Sequence, residues 1–253
     1  MQTIKQTANF FWHGNLSLYE IKCLESFVKH NWEVKVWSYE KISLPNGIEL
    51  CDASEILPKS ELDTFKVWCP HTNSFETRGN INSGFSDLFR FNLLLKKGGW
   101  WFDTDVICLR DQSNFVELTK NKHIVAGKED ENSTNGAILN FPDKETNLLI
   151  LQKAEELCKN TRDLEWGVIG PKLITNFVKE QQLEFEVYPI STFYPIGYPE
   201  VDYFYNPDLK MEALRRSSNS YTIHLWNWVL VNRGVNKDMM PKNDCFLFEI
   251  FNK

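Results

Sequence analysis

Residues Ser86–Arg110 read SDLFRFNLLLKKGGWWFDTDVICLR, and no other stretch of the chain limits its fold as tightly. The spacing of Leu88, Phe91, Leu94 and Leu95 predicts a helix from about Ser86 to Lys97 with one apolar face. Lys96 and Lys97 suit its C-terminal end, where the helix dipole favours cations. Gly98 can take the left-handed position that ends such a helix, and Gly99 relaxes the turn after it. Trp100–Phe102 then reads as a short apolar strand that runs into Asp103-Thr104-Asp105 before Val106–Leu109 turns apolar again. Two carboxylates therefore interrupt a buried extended run. Like charges in that position are costly unless a cation neutralises them, and a hard divalent ion with oxygen ligands is the simplest partner.

Upstream, Thr3–Trp12 is predicted as a first strand and Glu33–Tyr39 as a second. Between them Ser17-Leu18-Tyr19-Glu20 fits a capping box that opens a helix to about His30, with Ile21, Leu24 and Val28 as its buried stripe. This order implies a βαβ unit and a parallel sheet, with a ligand crevice at the C-terminal ends of the strands. Trp12 and His13 fall at such an end, where an indole either stacks on a nucleobase or fills the core. Ser43–Asn80 reads as irregular, punctuated by Pro45, Pro58 and Pro70, with a helical turn around Ser60–Val67. Further on, the patterns predict strands at His123–Lys128, Asn135–Asn140 and Glu184–Pro189. They predict helices at Thr146–Lys159 and from Pro171 to about Glu180. Phe193–Tyr205 is rich in aromatic residues and proline and reads as a packed loop rather than an acceptor platform. His224 lies in the apolar run Thr222–Trp228.

The chain's 253 residues fit one α/β domain, and a net charge of −6 excludes the basic footprint of a nucleic-acid binder. An anionic ligand would need local compensation from a metal or from Lys210, Arg215, Arg216, Arg233 and Lys237, which read equally well as a solvated face. Cys23, Cys51, Cys69, Cys108, Cys158 and Cys245 form no CxxC pair, which points to reduced thiols in a cytoplasmic protein and away from a zinc site. No window has the length and apolarity of a membrane span, and the polar start Met1–Asn9 has no signal-peptide character.

The long pattern Ser-Asp-x-x-Arg, apolar helix, Gly-Gly-x-aromatic-x-Asp-x-Asp resembles the DXD sugar transferases of glycosyltransferase family thirty-two and the glucosylating domains of the large clostridial toxins. The resemblance is strongest over Phe10–Gly14 and Ser86–Arg110 and continues weakly to about Asn227. It implies an α/β, GT-A-like nucleotide-sugar-binding fold, with a Rossmann-like mixed central sheet flanked by helices. Residues 1–110 would form the nucleotide-sugar half of a single domain. Residues 111–253 would form the acceptor half, with a C-terminal segment that closes the metal and diphosphate site.

The activity implied is retaining, metal-dependent transfer of a hexose from a nucleotide sugar, UDP-linked by preference. The acceptor would be a glycan or lipid-linked oligosaccharide in polysaccharide or glycan synthesis. By the same resemblance Asp103 and Asp105 are the catalytic carboxylates and, with His224, hold Mn²⁺ or Mg²⁺. Trp12 stacks on uracil, Asp87 and Arg90 hold the hexose, Trp226 and Asn227 contact the donor, and Asn135 lies on the acceptor side. Front-face transfer is implied, in which the leaving phosphate helps to deprotonate the acceptor. The expected place is a bacterial or viral-host cytosol, with peripheral membrane association only through the acceptor. Haloacid-dehalogenase-type phosphatases also use Asp-x-Asp, but in their first strand and with a later Gly-Asp-x-x-x-Asp, and this chain has no Gly-Asp dipeptide. The remaining alternative is an inactive sugar-nucleotide-binding scaffold of the same fold.

Overall fold

The computed structural model describes residues 5–64, 67–69, 74–76, 83–160, 164–165 and 167–253. The first elements in chain order are β1 (Thr7–Phe11), α1 (Leu18–Lys29), β2 (Glu33–Ser38), β3 (Ile48–Asp52), α2 (Lys59–Thr64), β4 (Val67–Cys69), β5 (Ser74–Glu76) and α3 (Ser83–Lys97). After them come β6 (Trp100–Phe102), β7 (Val106–Cys108), α4 (Gln112–Phe115), β8 (Val125–Lys128), β9 (Thr134–Asn140), α5 (Lys144–Asn160) and β10 (Leu164–Glu165). The chain ends with α6 (Pro171–Glu180), α7 (Ile190–Phe193), α8 (Lys210–Ser217), β11 (Thr222–His224), α9 (Asn227–Asn232) and α10 (Phe246–Asn252).

The central sheet runs β3-β2-β1-β6-β9-β8. Strands β3, β2, β1 and β6 are parallel, and β9 runs antiparallel between β6 and β8, so the sheet is mixed as expected. Period-two alternation distributes its side chains between two cores. Ala8 and Phe10 of β1 and Trp100 and Phe102 of β6 enter one core with Phe27, Trp32 and Phe115. Phe11 and Trp101 enter the other with Phe85, Phe89 and Leu139. Since Ala8 pairs with Trp100 and Asn9 with Trp101, Trp12 and Asp103 emerge from the same edge of the sheet.

Helix α1 starts as its sequence dictates: the Ser17 side chain accepts from the Tyr19 N–H, and Glu20 reaches back to the Ser17 N–H at 2.8 Å. Its buried stripe is rotated from the expected one. Tyr19, Cys23, Leu24 and Phe27 are buried, while Ile21 and Val28 are only half-buried at its margin. Helix α3 begins three residues before the expected Ser86 and ends where expected, with Gly98 at φ 69° donating to Leu94 O at 2.9 Å. Phe85, Phe89 and Leu93 are buried as well as Leu88, Phe91 and Leu94, because the helix lies between the sheet and α5.

Two further expectations are corrected. The stretch read as irregular contains β3, a half-exposed edge strand whose Leu50 faces solvent, so it shows no apolar alternation. The helical turn within it runs over Lys59–Thr64, and residues 65–66, 70–73 and 77–82 lie outside the described residues. The expected strand Glu184–Pro189 is a 3₁₀ turn at Glu184–Glu186. There the buried Glu186 carboxylate accepts from the N–H groups of His123 (2.7 Å) and Ile124 (3.1 Å), and only Tyr188 pairs with β8. Cys23, Cys51, Cys108, Cys158 and Cys245 are free thiols, and no helix among the described residues is long and apolar enough to cross a membrane.

Candidate active site

The short β6 delivers Asp103 to the crevice edge, and the chain turns there instead of continuing in the sheet. The Asp103 N–H donates to Ala137 O at 2.8 Å, and Val106 N–H closes the turn on Asp103 O at 3.1 Å. β7 then leaves the central sheet and pairs antiparallel with β11, His224 opposite Val106. That register, extended by Leu225 N–H to Asp105 O at 2.9 Å, brings residues 105 and 224 together across 119 positions of sequence. His224 Nε2 stands 3.1 Å from Asp105 Oδ1, and the Asn227 N–H donates to Asp105 Oδ2 at 2.8 Å. Burial works against charge on both partners. For Asp105 the adjacent imidazole and the Asn227 N–H prevail, so its pKa lies below the ordinary carboxylate value. For His224 the fields of Asp105, Asp103 and Glu129 prevail, and its pKa is raised.

α3 supplies the second half of the site. Arg90 is buried, and its Nη2 lies 3.1 Å from Asp87 Oδ1 and 3.2 Å from Asp103 Oδ1. Its Nη1 donates to Gly136 O at 2.6 Å, and the guanidinium sits 5.0 Å above the Trp101 ring, whose N–H donates to Asp103 Oδ1 at 2.8 Å. Asp87 and Arg90 thus form the ion pair their spacing allows, and the pair continues to the DXD turn. Two glycines make room for it. A Cβ at Gly136 would fall inside 3.0 Å of Arg90 Nη1, and one at Gly170 inside 3.0 Å of Asp87 Oδ1 and Oδ2. Neither glycine stood out in the sequence, since nothing local marks a residue kept small for a side chain from another element.

The other predicted site residues separate into groups. Trp12 continues the β1–β2 pairing, its N–H donating to Trp37 O at 3.0 Å, and its indole N–H is buried without a partner among the described residues. His13 lies 2.9 Å from Glu40 and away from the cluster of metal-ligand atoms. Trp226 is buried, in the left-handed region at φ 58°, with its indole N–H on Ile196 O at 2.9 Å and its ring 4.1 Å from that of His224. It backs the histidine. The Asn227 side chain donates to Glu20 at 2.7 Å, and Lys237 also pairs with the same Glu20 oxygen. Asn135 has its amide engaged at both ends within the protein, donating to Glu129 at 2.8 Å and accepting from the Ala137 N–H at 2.6 Å. The expected basic patch is internally paired: Lys210 with Glu249, Arg215 with Glu212, Arg216 with Glu200, Arg233 with Asp202 and Lys237 with Glu20. Of these cations, Lys237 is tied to the site, through Glu20 and Asn227 to Asp105. Glu20 gave a sequence signal only as a capping residue, and Glu129 gave none.

One ligand atom from each of Asp103, Asp105 and His224 lies within 4.8 Å of the others. Two carboxylate oxygens and an imidazole nitrogen suit a divalent ion of the Mn²⁺ or Mg²⁺ kind. The second oxygen of Asp103 is not taken by Arg90 or Trp101, both of which bond Oδ1. The residues present therefore fit a bound cation.

Comparison with known proteins agrees with this geometry. The family signature "Glycosyltransferase sugar-binding region containing DXD motif" matches residues 17–123, which carry the Asp103–Asp105 turn. Over that stretch the chain is similar to the DXD glycosyltransferases. A second signature, "Alpha 1,4-glycosyltransferase conserved region", matches residues 146–243, which include His224, and "Capsular polysaccharide synthesis protein" matches residues 74–188. Lactosylceramide 4-alpha-galactosyltransferase of Mus musculus is 31% identical over 154 residues, 56% of this chain and 40% of the relative. An uncharacterized protein of Arabidopsis thaliana is 28% identical over 224 residues, 81% of this chain and 31% of the relative. The match thus spans less than half the length of both. Among solved structures, the WbbM bifunctional glycosyltransferase superposes with a TM-score of 0.54 at 13% identity, covering 98% of this chain and 49% of that one, and supports the GT-A fold.

Proposed function

We propose that this chain is a metal-dependent, retaining glycosyltransferase that moves a hexose from a nucleotide sugar, UDP-linked by preference, to a glycan or lipid-linked acceptor. The observation that carries it is the Asp103–Asp105–His224 cluster, joined through Asp103 to the buried Arg90–Asp87 pair at the C-terminal end of the parallel strands. In open α/β sheets that crevice is where ligands bind. Residues 1–110 form the donor half in this reading, and residues 111–253 form the acceptor half and return His224 and Asn227 to close the site. The α-galactosyl transfer named in the lactosylceramide relatives favours a hexose donor and an α-linked product.

Transfer breaks the bond between the anomeric carbon and the diphosphate through an oxocarbenium-like transition state, and negative charge grows on the leaving group. Asp103, Asp105 and His224 would hold a divalent ion, which would supply positive charge for that diphosphate. The protein's own groups set the geometry. The buried Asn227 N–H and His224 fix the Asp105 carboxylate, Trp101 and Arg90 fix Asp103, and Trp226 fixes the His224 ring. Arg90 and Asp87 bind the hexose hydroxyls, and Trp12 stacks on the base. In the front-face course, the acceptor O–H proton leaves on a phosphate oxygen while the new bond forms on the face the diphosphate vacates.

A thermal-shift panel of UDP, GDP and their hexose conjugates, with and without Mn²⁺, tests this reading. A ligand at a hundred times its dissociation constant adds about 2.7 kcal/mol. The expected result is stabilisation by one nucleotide series, only with Mn²⁺, that is lost in Asp105→Ala. No shift from any member would remove the nucleotide-sugar reading.

A further inference from the structure

A further carboxylate stands beside this site with no Lys or Arg paired to it among the described residues. Glu129 follows β8 and begins the turn into β9, its N–H donating to Ser133 O at 2.9 Å. Its Oε2 accepts from Asn135 Nδ2 at 2.8 Å. Asn135 Oδ1 accepts from the Ala137 N–H at 2.6 Å, and Ala137 O accepts from the Asp103 N–H at 2.8 Å. Between them, Gly136 O accepts from Arg90 Nη1 at 2.6 Å. A continuous run of hydrogen bonds therefore fixes Glu129 relative to Asp103 and Arg90.

The field of Glu129 reaches His224 and the buried Tyr194, yet its oxygens lie outside the group of atoms that could ligate a metal. Burial pushes its carboxyl above the ordinary value. No Lys or Arg pairs with it among the described residues, and its Oε1 has no protein donor there. The sheet order decides what such a group faces. With Trp12 on β1, the DXD turn on β6 and Glu129 at the end of edge strand β8, the order β1-β6-β9-β8 leads from the proposed base site past the diphosphate site to Glu129. On the proposed glycosyltransferase reading, the acceptor would lie beyond the transferred sugar in that direction.

We infer that Glu129, positioned by Asn135, binds the acceptor hydroxyl that attacks the sugar. A carboxylate with a free oxygen is a strong acceptor for a sugar hydroxyl, and the bond fixes the direction of the attacking oxygen lone pair. The acceptor contact expected of Asn135 is thereby carried by the residue that Asn135 holds. This inference rests on the glycosyltransferase reading.

The test compares wild type with Glu129→Gln and Glu129→Asp, using Mn²⁺, UDP-galactose and a panel of lactose and methyl hexosides as acceptor probes. Glutamine keeps an oxygen for Asn135 and removes the charge. Glu129→Gln is expected to retain its melting temperature, its UDP–Mn²⁺ shift and its KM for UDP-galactose. Its acceptor KM should rise at least tenfold, and a larger share of the donor should be lost to water. Glu129→Asp should recover part of the transfer. Unchanged acceptor kinetics in Glu129→Gln, or a parallel loss of UDP–Mn²⁺ binding, would overturn the assignment and leave the parent reading intact. Absence of the UDP–Mn²⁺ shift in wild type would remove both.

Discussion

Gly136→Ala tests the packing that joins α3 to the DXD turn. The new Cβ would stand inside 3.0 Å of Arg90 Nη1 and 2.9 Å from Ile174 Cδ1. The guanidinium has no room to yield while keeping its partners. Nη2 is shared between Asp87 and Asp103, and the plane rests on Trp101. Displacement weakens a charge-assisted bond to Gly136 O, of the class worth about 1.5–3 kcal/mol, and loosens a buried ion pair whose full rupture costs about 3–5 kcal/mol. Because Asp103 is partly exposed, a total of about 2–4 kcal/mol is the reasonable expectation. For a chain of this size that lowers the melting temperature by roughly 4–16 °C. Differential scanning fluorimetry of wild type, Gly136→Ala, Arg90→Lys and the double variant measures it. Lysine lacks the fork that meets the alanine methyl, so the double variant should be little worse than Arg90→Lys alone. A wild-type melting temperature in Gly136→Ala, or effects that simply add with Arg90→Lys, would refute the reasoning. Gly98→Ala is the control, since its Cβ meets nothing within 4 Å and pays only the left-handed backbone penalty of about 1 kcal/mol.

His224→Gln should raise the Mn²⁺ concentration needed for half-maximal UDP stabilisation at least tenfold while leaving the metal-free fold intact, as read by titration in the thermal-shift assay. Glu20→Gln removes the charge that holds Lys237 while keeping an oxygen for the Asn227 amide. It should lower stability by about 1–3 kcal/mol in denaturant melts, and Lys237→Met should suppress most of that loss. The metal-free protein should show a pH signature of the Asp105–His224 pair. His224 is raised, so its contribution is complete below about pH 6.5 and is lost as pH rises through its folded value. Asp105 is lowered, so its contribution is complete above about pH 4 and is lost as pH falls through its folded value. Urea unfolding between pH 3 and 9 should therefore give a plateau with two falling limbs, and His224→Gln should flatten the alkaline one.

What the sequence reveals depends on whether the cause is local. The capping box of α1, the Gly98 stop of α3 and Pro171 at the start of α6 are all written in neighbouring residues, and each appears where the pattern places it. Edge strand β3 and the 3₁₀ turn at Glu184 are not, because solvent exposure blurs the first and a hydrogen bond to a residue 63 positions away decides the second. The site divides in the same way. Asp87, Arg90, Asp103 and Asp105 come from one segment, so their spacing could be read. The approach of His224 needed a β7–β11 register that no periodicity reveals, and it was reached through resemblance alone. Glu129, Gly136 and Gly170 act on side chains from other elements, so nothing near them in sequence marks their place, and the capping box marks Glu20 only as the start of α1.

The charges of the assembled site lead to one more expectation. Asp87, Asp103, Asp105 and Glu129 carry four formal negative charges, and Arg90 with a protonated His224 carries two positive ones, so four less two leaves an excess of two. In a partly buried site that excess is unfavourable, and the raised pKa of His224 is the metal-free protein's partial answer to it. A divalent ion answers it more fully, but its imidazole ligand must be neutral, so the proton that stabilises the metal-free site has to leave. Mn²⁺ uptake near neutral pH should therefore release a proton. Calorimetric titrations in two buffers of different ionisation enthalpy read that proton directly, as heats that differ in proportion to the buffer term. The difference should vanish in His224→Gln. Buffer-independent heat in the wild type would mean that the ion displaces no proton from His224.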